Sequence, residues 1–302
     1  MSGGSNGLDA NGEPMAAAAA AASQDPAFKD PPSKEPAFKD HFSAVADAYA
    51  AARPEYPETL FDALAAVVPR TAHVWEPGCG SGQATRGLAA HFARVHASDP
   101  SAQQIAAHWA SRGGAVPEPR SPGRGRIDSG PANVSLAVEP GERTRLPDAS
   151  VQLVAVAQAL HWFDHDRFFA ECDRVLTPGG VLAAWGYADF IAPEGMVDAV
   201  AAFRARVEPY WPPERAQVDT RYAGYPWPFP ALPAPDLWLE AELSFTHFLR
   251  YLSSSSASAR CLAGTGDDPV ARHAAGLSAA WGAAGDTRTL RWPLFLHLRR
   301  KP

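Results

Sequence analysis

The sequence is poor in the features that mark disulfide-rich, zinc-binding and nucleic-acid-binding proteins. Its 302 residues include only three cysteines, Cys79, Cys172 and Cys261, and no two of them form a C-x-x-C pair. So few and so widely spaced thiols exclude a disulfide framework and a zinc knuckle, and they fit a reducing compartment. With 27 Lys and Arg against 33 Asp and Glu, the formal net charge is −6. The chain therefore lacks the broad basic field of a nucleic-acid or anionic-membrane binder.

A long apolar run is also missing. The longest purely apolar stretch covers residues 15–22, far short of the roughly 20 residues needed to cross a bilayer. The first arginine is Arg53, and acidic residues outnumber lysines before it, which is not the composition of an organelle transit peptide. These absences predict a soluble protein of the cytoplasm.

Two segments stand apart from the rest in composition. Residues 1–37 consist mostly of Gly, Ser, Asn, Pro and a seven-Ala tract, with too little apolar surface to repay the entropy of ordering, so we expect a disordered leader. Residues 113–132 are dense in Gly, Pro and Arg and predict a surface insert. We expect residues 38–302 to form one domain, with a helical and aromatic cap over about 192–236.

Strand-like and helix-like segments alternate along this domain, which predicts a doubly wound, mostly parallel α/β sheet. The continuous apolar run at 151–157 is typical of a central parallel strand covered on both faces. The alternating segment at 290–299 is interrupted by Pro293 and predicts a late or edge strand. The other predicted strands cover residues 73–76, 94–98, 134–138, 181–187 and 238–245.

A glycine-rich turn separates the first predicted strand from a helix. It reads Glu76-Pro-Gly78-Cys-Gly80-Ser-Gly82, and glycines at such a turn let the backbone pass close beneath a nucleotide-like ligand. A dinucleotide fingerprint has its third glycine where Gln83 stands and usually an apolar residue where Glu76 stands. An acid here repels a pyrophosphate and suits the amino and sulfonium groups of S-adenosylmethionine. An NAD(P)-binding oxidoreductase and a turn that binds nothing are the alternatives.

Asp99 ends the next strand, about 20 residues beyond the glycines. A carboxylate at this position of a βαβ unit accepts hydrogen bonds from both ribose hydroxyls. The alternative is that Asp99 caps the helix that begins near Ala102. The sequence alone supports both interpretations equally.

The order of motifs resembles a known family. Five segments resemble those of class I S-adenosylmethionine-dependent methyltransferases, and more narrowly of the type 11 methyltransferase domain: 76–82, Asp99, 146–151, 158–163 and 174–180. The opening Phe38-Lys-Asp-His-Phe-Ser43, the Ala-Leu-His-Trp-Phe segment and the tail Trp292-Pro-Leu resemble the trans-aconitate methyltransferase-like branch.

This resemblance implies a seven-stranded sheet that binds S-adenosylmethionine across the carboxyl ends of its first two strands. Glu76, Gly78, Gly80 and Gly82 match the methionine-side turn, and Asp99 matches the ribose acid. Glu142 matches an acid near the adenine, although three residues separate it from Leu146, which departs from the family spacing.

Five residues are candidates for the acceptor side. Gln158, His161 and Trp162 follow the central strand beside the expected methyl group, and Gln158 also borders the cofactor. His161 is either a general base or a hydrogen-bonding wall residue. Tyr49 and Arg53 can fold over the cofactor as a lid.

Other acceptor features are aromatic or unusual for the family. Trp211, Tyr222, Tyr225 and Trp227 offer an aromatic cap, and the serine run 253–256 stands where the family usually has a tryptophan. No group of His, Asp and Glu has metal-ligand spacing. The expected activity is methyl transfer to a small molecule, with carboxyl O-methylation of an organic acid implied by resemblance. A noncatalytic adenosyl-ligand sensor or stress-associated binding protein is a further alternative, and the oligomeric state is left open.

Overall fold

The computed structural model describes residues 54–111, 132–283 and 285–302. The predicted leader and nearly all of the predicted insert lie outside these residues. The regular elements, in chain order, are α1 (Glu58–Ala65), β1 (His73–Pro77), α2 (Gln83–His91), β2 (Arg94–Asp99), α3 (Ala102–Ser111), β3 (Val134–Val138), β4 (Val151–Ala157), α4 (His165–Val175), β5 (Leu176–Tyr187), α5 (Val197–Val207), α6 (Arg215–Asp219), β6 (Ala231–Leu232), β7 (Leu237–Ser244), α7 (Phe245–Ser253), α8 (Ser256–Thr265), α9 (Pro269–Trp281) and β8 (Thr287–Arg300). Short 3₁₀ helices cover Leu160–Trp162 and Glu208–Tyr210.

The strands form one mixed sheet in the order β3-β2-β1-β4-β5-β8-β6, and β7 also pairs with β8. Strands β1 to β5 are mutually parallel, whereas β8 runs antiparallel to β5, β6 and β7. This architecture confirms the doubly wound α/β prediction. The described part of the sheet has eight strands rather than seven, because the two-residue strand β6 joins the end of β8.

Alternate residues of the central strands enter two separate apolar cores. In β4, Leu153 and Ala155 pack with helices α1, α2, α3, α5, α7 and α9 on one face of the sheet. Val154 and Val156 pack with α4 and α6 on the other face. All four side chains are fully buried, which explains why this segment reads as a continuous apolar run. The two covered faces leave the carboxyl edge of the parallel strands as the place where polar groups gather.

The last strand is not at an edge of the sheet. Residues 294–300 of β8 pair with β5, and residues 287–294 pair with β7. Pro293 is tolerated because it lies just beyond the last β5 pairing, Tyr187 with Leu294, and therefore faces β7 alone. Of the two predicted positions, the late one is confirmed and the edge one is wrong, because the proline marks the end of the pairing with β5 and not the rim of the sheet.

Candidate active site

The three glycines of the turn after β1 all adopt backbone conformations that favour glycine. Gly78, Gly80 and Gly82 have φ angles of +68°, +52° and +87°. A Cβ added at Gly82 would lie 2.1 Å from Nε2 of His108, a buried side chain of α3. The turn therefore needs glycine for its conformation and, at Gly82, for space.

We expect Gly82→Ala to lower the free energy of unfolding by roughly 2–4 kcal/mol, because it combines left-handed strain with a clash against His108. Gly276→Ala is a matched control, since Gly276 is exposed in α9 and an added Cβ there meets nothing within 4 Å. The control should gain about 0.5–1 kcal/mol. Denaturant unfolding measures both, and an equal response of the two variants would contradict the close contact at Gly82.

Glu76 is a carboxyl group held almost wholly out of water. Its residue exposure is 1%, and Oε2 accepts a 2.6 Å hydrogen bond from the hydroxyl of Thr85. The second oxygen, Oε1, is buried and has no hydrogen-bond partner among the described residues. Burial raises the pKa of Glu76 to about 8, the Thr85 hydrogen bond opposes this shift, and the charge of Asp99 adds to it. A buried carboxylate with a vacant oxygen binds a cation or a strong hydrogen-bond donor favourably.

Asp99 faces the same turn. Its Oδ2 accepts the backbone N–H of Gly80 at 3.0 Å, and its Oδ1 accepts the N–H of Ser101 at 2.9 Å. The cap of α3 is Ser101 itself, whose hydroxyl accepts the N–H of Gln104 at 3.3 Å. Asp99 thus contacts both the glycine turn and the residue that caps α3. Both carboxylate oxygens of Asp99 therefore lie at the turn between β1 and α2.

The neighbouring strand β3 adds two residues that the sequence analysis missed. Val138 pairs with Asp99 in register and is 54% exposed, one of the few large apolar side chains left open to solvent. Glu139 is buried and accepts hydrogen bonds from Thr144 Oγ1 at 2.7 Å and from His96 Nε2 at 3.2 Å. These contacts lower the pKa of Glu139 against the opposing effect of burial. They fix the start of the loop between β3 and β4.

This loop carries Glu142. The Oε1 atom of Glu142 accepts the backbone N–H of Asp164 at 2.9 Å, which joins the loop to the start of α4. Phe163 lies between the loop and the glycine turn, since a Cβ added at Gly141 or Gly78 would approach its ring to 2.8 and 3.1 Å. The loop is therefore held beside the turn, and the adenine role of Glu142 stays a prediction.

Gln158 follows β4 in a strained conformation. Its φ of +53° is rare for a residue with a side chain, and its Nε2 donates a 2.8 Å hydrogen bond to the carbonyl of Tyr187 at the end of β5. Strained backbone of this kind clusters at binding sites. The hydrogen bond ties the ends of β4 and β5 together.

His161 and Trp162 lie in the 3₁₀ helix after Gln158. Nδ1 of His161 is 3.1 Å from the hydroxyl of Tyr222, and its ring centre is 4.7 Å from that of Trp162. Burial lowers the pKa of His161 to about 3, and the positive charges of Arg215 and His165 add to this effect. A group with so low a pKa is a weak proton acceptor at neutral pH, which disfavours the general-base interpretation.

A cleft opens directly after β5. It lies between the residues that follow β5, helices α5, α6 and α7, and the start of α8. Two arginines line it: Arg204 forms a 2.7 Å ion pair with Asp189, and Arg215 lies over the ring of Trp211 at 4.3 Å. The remaining lining residues are mainly apolar or aromatic: Ala188, Phe190, Phe203, Val207, Glu208, Tyr251, Leu252 and Ser255. The cleft thus combines apolar and aromatic walls with two acids and two arginines, and each arginine is paired with an acid.

The structure divides the predicted aromatic cap. Trp211 lines the cleft, whereas Tyr222, Tyr225 and Trp227 pack against α4 in the second apolar core, with Tyr222 fully buried. Of the serine run, Ser255 caps α8 through the N–H of Ser258 and borders the cleft. Tyr49 and Arg53 lie outside the described residues, so the lid stays a prediction.

Two absences apply to the described part of the chain. Within it, no group of three or more His, Cys, Asp and Glu side chains could hold a metal ion. No helix there combines the length and apolar character that crossing a membrane requires.

Comparison with known proteins adds to this geometry. Residues 75–184 match a methyltransferase domain family. A solved structure from Anaeromyxobacter dehalogenans, described as a type II methyltransferase, is 39% identical with a TM-score of 0.70, over 82% of this chain and 97% of that one. A Dictyostelium discoideum protein named as a methyltransferase is 28% identical over 72% of this chain and 78% of its own length. Uncharacterized mycobacterial methyltransferases are 34% identical over 49% of this chain, which spans about half of their length.

Proposed function

The chain belongs to the methyltransferases, and from this premise we propose that it transfers the methyl group of S-adenosylmethionine to a small organic acid. When bound, S-adenosylmethionine supplies a methyl group on a positively charged sulfur. The reaction that we propose is carboxyl O-methylation, as in the trans-aconitate methyltransferase-like branch that the opening and tail motifs resemble.

The buried carboxyl of Glu76 carries the cofactor assignment. Glu76 lies at the end of β1, where the strand enters the glycine turn, and its Oε1 has no hydrogen-bond partner among the described residues. A second acid, Asp99, accepts the N–H of Gly80 in the same turn. The residues present fit S-adenosylmethionine, which is cationic at its methionine end and has ribose hydroxyls to donate. An acid that faces this turn from the position of Glu76 repels a pyrophosphate, which disfavours a dinucleotide.

Each residue then has a stated role toward the cofactor. Glu76 holds the amino group, the backbone of the turn from Gly78 to Gly82 lies beneath the methionine part, and Asp99 accepts the ribose hydroxyls. Glu142 borders the adenine. In this proposal, Tyr49 and Arg53 close over the cofactor and exclude water from it.

The cleft after β5 supports an acid as the acceptor. Arg215 uses only Nε in its 2.9 Å hydrogen bond to Asp219, so the rest of its guanidinium is available to a carboxylate. Gln158 ties the end of β4 to Tyr187 at the end of β5, and the cleft begins at the next residue, Ala188. Methyl transfer from a sulfonium is an in-line displacement, so the chain chiefly has to align the acceptor and exclude water.

The test is incubation with methyl-labelled S-adenosylmethionine and a panel of small organic acids, phenols and amines. We expect labelled methyl esters from one or more acids and base-labile release of the label as methanol. Label that enters phenols or amines in preference to acids would contradict carboxyl methylation. No labelled product with any class would contradict the transferase itself and favour a ligand-binding protein.

A further inference from the structure

A tyrosine that is 61 residues away in sequence contacts His161. The Tyr222 hydroxyl lies 3.1 Å from Nδ1 of His161, and the Tyr222 side chain is fully buried. Two observations show that this contact is built into the fold. Tyr222 and Arg221 both have positive φ angles, +56° and +53°, and the Tyr222 ring stacks on Tyr225 and meets Phe295 edge-on. Strained backbone persists only where the surrounding packing determines it.

The direction of this hydrogen bond follows from the partners of the hydroxyl. Burial raises the pKa of Tyr222, so its phenol keeps its proton. The O–H hydrogen has no acceptor among the described residues other than Nδ1 of His161. A buried O–H without an acceptor is costly, so Tyr222 donates and Nδ1 accepts.

The remaining proton of His161 must then be on Nε2. The groups facing its ring are Tyr222, Arg215 and His165, and the two basic side chains both disfavour a second proton on the imidazole. A neutral imidazole with an accepting Nδ1 carries its hydrogen on Nε2. Nε2 makes no hydrogen bond to a described residue and is not among the buried polar atoms that lack a partner, so it is open to a ligand.

We propose that Tyr222 is a positioning residue that fixes His161 as a hydrogen-bond donor through Nε2, and that this donor selects acceptors whose reacting oxygen is already ionised. The inference rests on the proposed function, and it names how the acceptor class is chosen. His161 lies three residues beyond Gln158, which follows β4. Arg215 lines the cleft, and its positive charge lowers the pKa of His161.

Acceptors differ in whether their reacting atom must lose a proton before it can take the methyl group. A carboxylate oxygen forms its bond to the methyl carbon as the carbon–sulfur bond breaks and the sulfur keeps that electron pair, so no proton has to leave. A phenol or an ammonium must first lose a proton to a base, and a donating Nε2–H cannot take it. His161 instead holds the carboxylate, together with Arg215, and leaves one oxygen to react.

The tautomer is tested directly by ¹⁵N NMR of the histidine ring nitrogens of the unmodified protein. The His161 signals are those that are missing from the spectrum of a His161→Gln variant. We expect Nδ1 to carry a lone pair and Nε2 a proton between pH 5 and 8. In Tyr222→Phe, which keeps the ring, we expect this single-tautomer pattern to be lost. A proton on Nδ1 in the unmodified protein, or an unchanged pattern in Tyr222→Phe, would overturn the inference. Neither cofactor nor acceptor is needed, so a failed transfer assay leaves this result interpretable.

The acceptor role is tested by steady-state kinetics with matched pairs, benzoate with phenol and phenylacetate with aniline. His161→Leu removes the donor, and we expect the KM for the acid to rise about tenfold or more while kcat changes less than threefold. His161→Gln retains an N–H donor and should recover part of the lost affinity. A fall in kcat of roughly 100-fold, with loss of the acid limb of the pH profile, would instead identify a general base and refute the inference.

Discussion

Asp99→Ala is expected to weaken the binding of S-adenosylhomocysteine about 100-fold or more. Asp99 is the acid that contacts the glycine turn through the N–H of Gly80, while Ser101 caps α3. Two charge-assisted hydrogen bonds to ribose hydroxyls contribute about 1.5–3 kcal/mol each. Isothermal titration calorimetry at pH 8 measures the change.

Two further variants separate the ribose contact from support of the turn. Asp99→Asn keeps the shape and one accepting oxygen, and it should lose less affinity than the alanine variant. Asp198→Ala removes an exposed acid of α5 and should bind as the unmodified protein does. If Asp99→Ala folds with an unchanged unfolding midpoint and binds with unchanged affinity, the ribose assignment is wrong.

The affinity for S-adenosylhomocysteine is expected to rise with pH and then level off near pH 8. Burial raises the pKa of Glu76 to about 8, so the carboxyl is mostly protonated at pH 6 in the ligand-free protein. Holding the amino group of the ligand requires the ionised form. The apparent Kd should therefore fall about tenfold between pH 6 and 7 and about fivefold between pH 7 and 8, with a proton released on binding.

The ligand-free protein should show the opposite trend in stability. The folded-state pKa of Glu76 lies above its unfolded value of 4.5, so its contribution is fully present below pH 4.5 and is lost as the pH rises toward 8. The slope from this group is at most about 1.4 kcal/mol per pH unit. Glu76→Gln keeps a hydrogen-bonding partner for Thr85 and should remove this slope, the proton release and most of the ligand affinity. Calorimetry in buffers of different ionisation enthalpy measures the proton, and equal pH profiles for the two proteins would contradict this role of Glu76.

The sequence analysis located the elements whose patterns are local. The bounds of β3 and β4 are as predicted, because each strand is short, apolar and set off by turn residues. The positive φ angles of the turn glycines follow from the glycine pattern itself. Asp164, a typical N-cap residue, caps α4 by accepting the N–H of Arg167. These features depend on neighbouring residues along the chain, which is why the sequence alone reveals them.

Features that depend on distant residues were missed. The position of β8 between β5 and β7 depends on pairings across the sheet, and an interrupting proline misled the prediction. Helices α8 and α9 are rich in Ser, Ala and Gly, which weakens their apolar periodicity, and they form by packing on α5 and on each other. The contact of Tyr222 with His161 joins two segments whose patterns are unrelated. Nothing in the sequence around Tyr222 indicates that its hydroxyl holds the ring of His161 in one tautomer.

The ligand preference of the glycine turn tests the central claim most directly. Calorimetric titration of the full chain at pH 8 with S-adenosylhomocysteine and, separately, with NAD⁺ compares a ligand with a cationic amino group against one with a pyrophosphate. We expect saturable binding of S-adenosylhomocysteine and none of NAD⁺ at the same concentrations. Binding of NAD⁺ that excludes S-adenosylhomocysteine would contradict the assignment of Glu76 and Asp99 to a methyl donor.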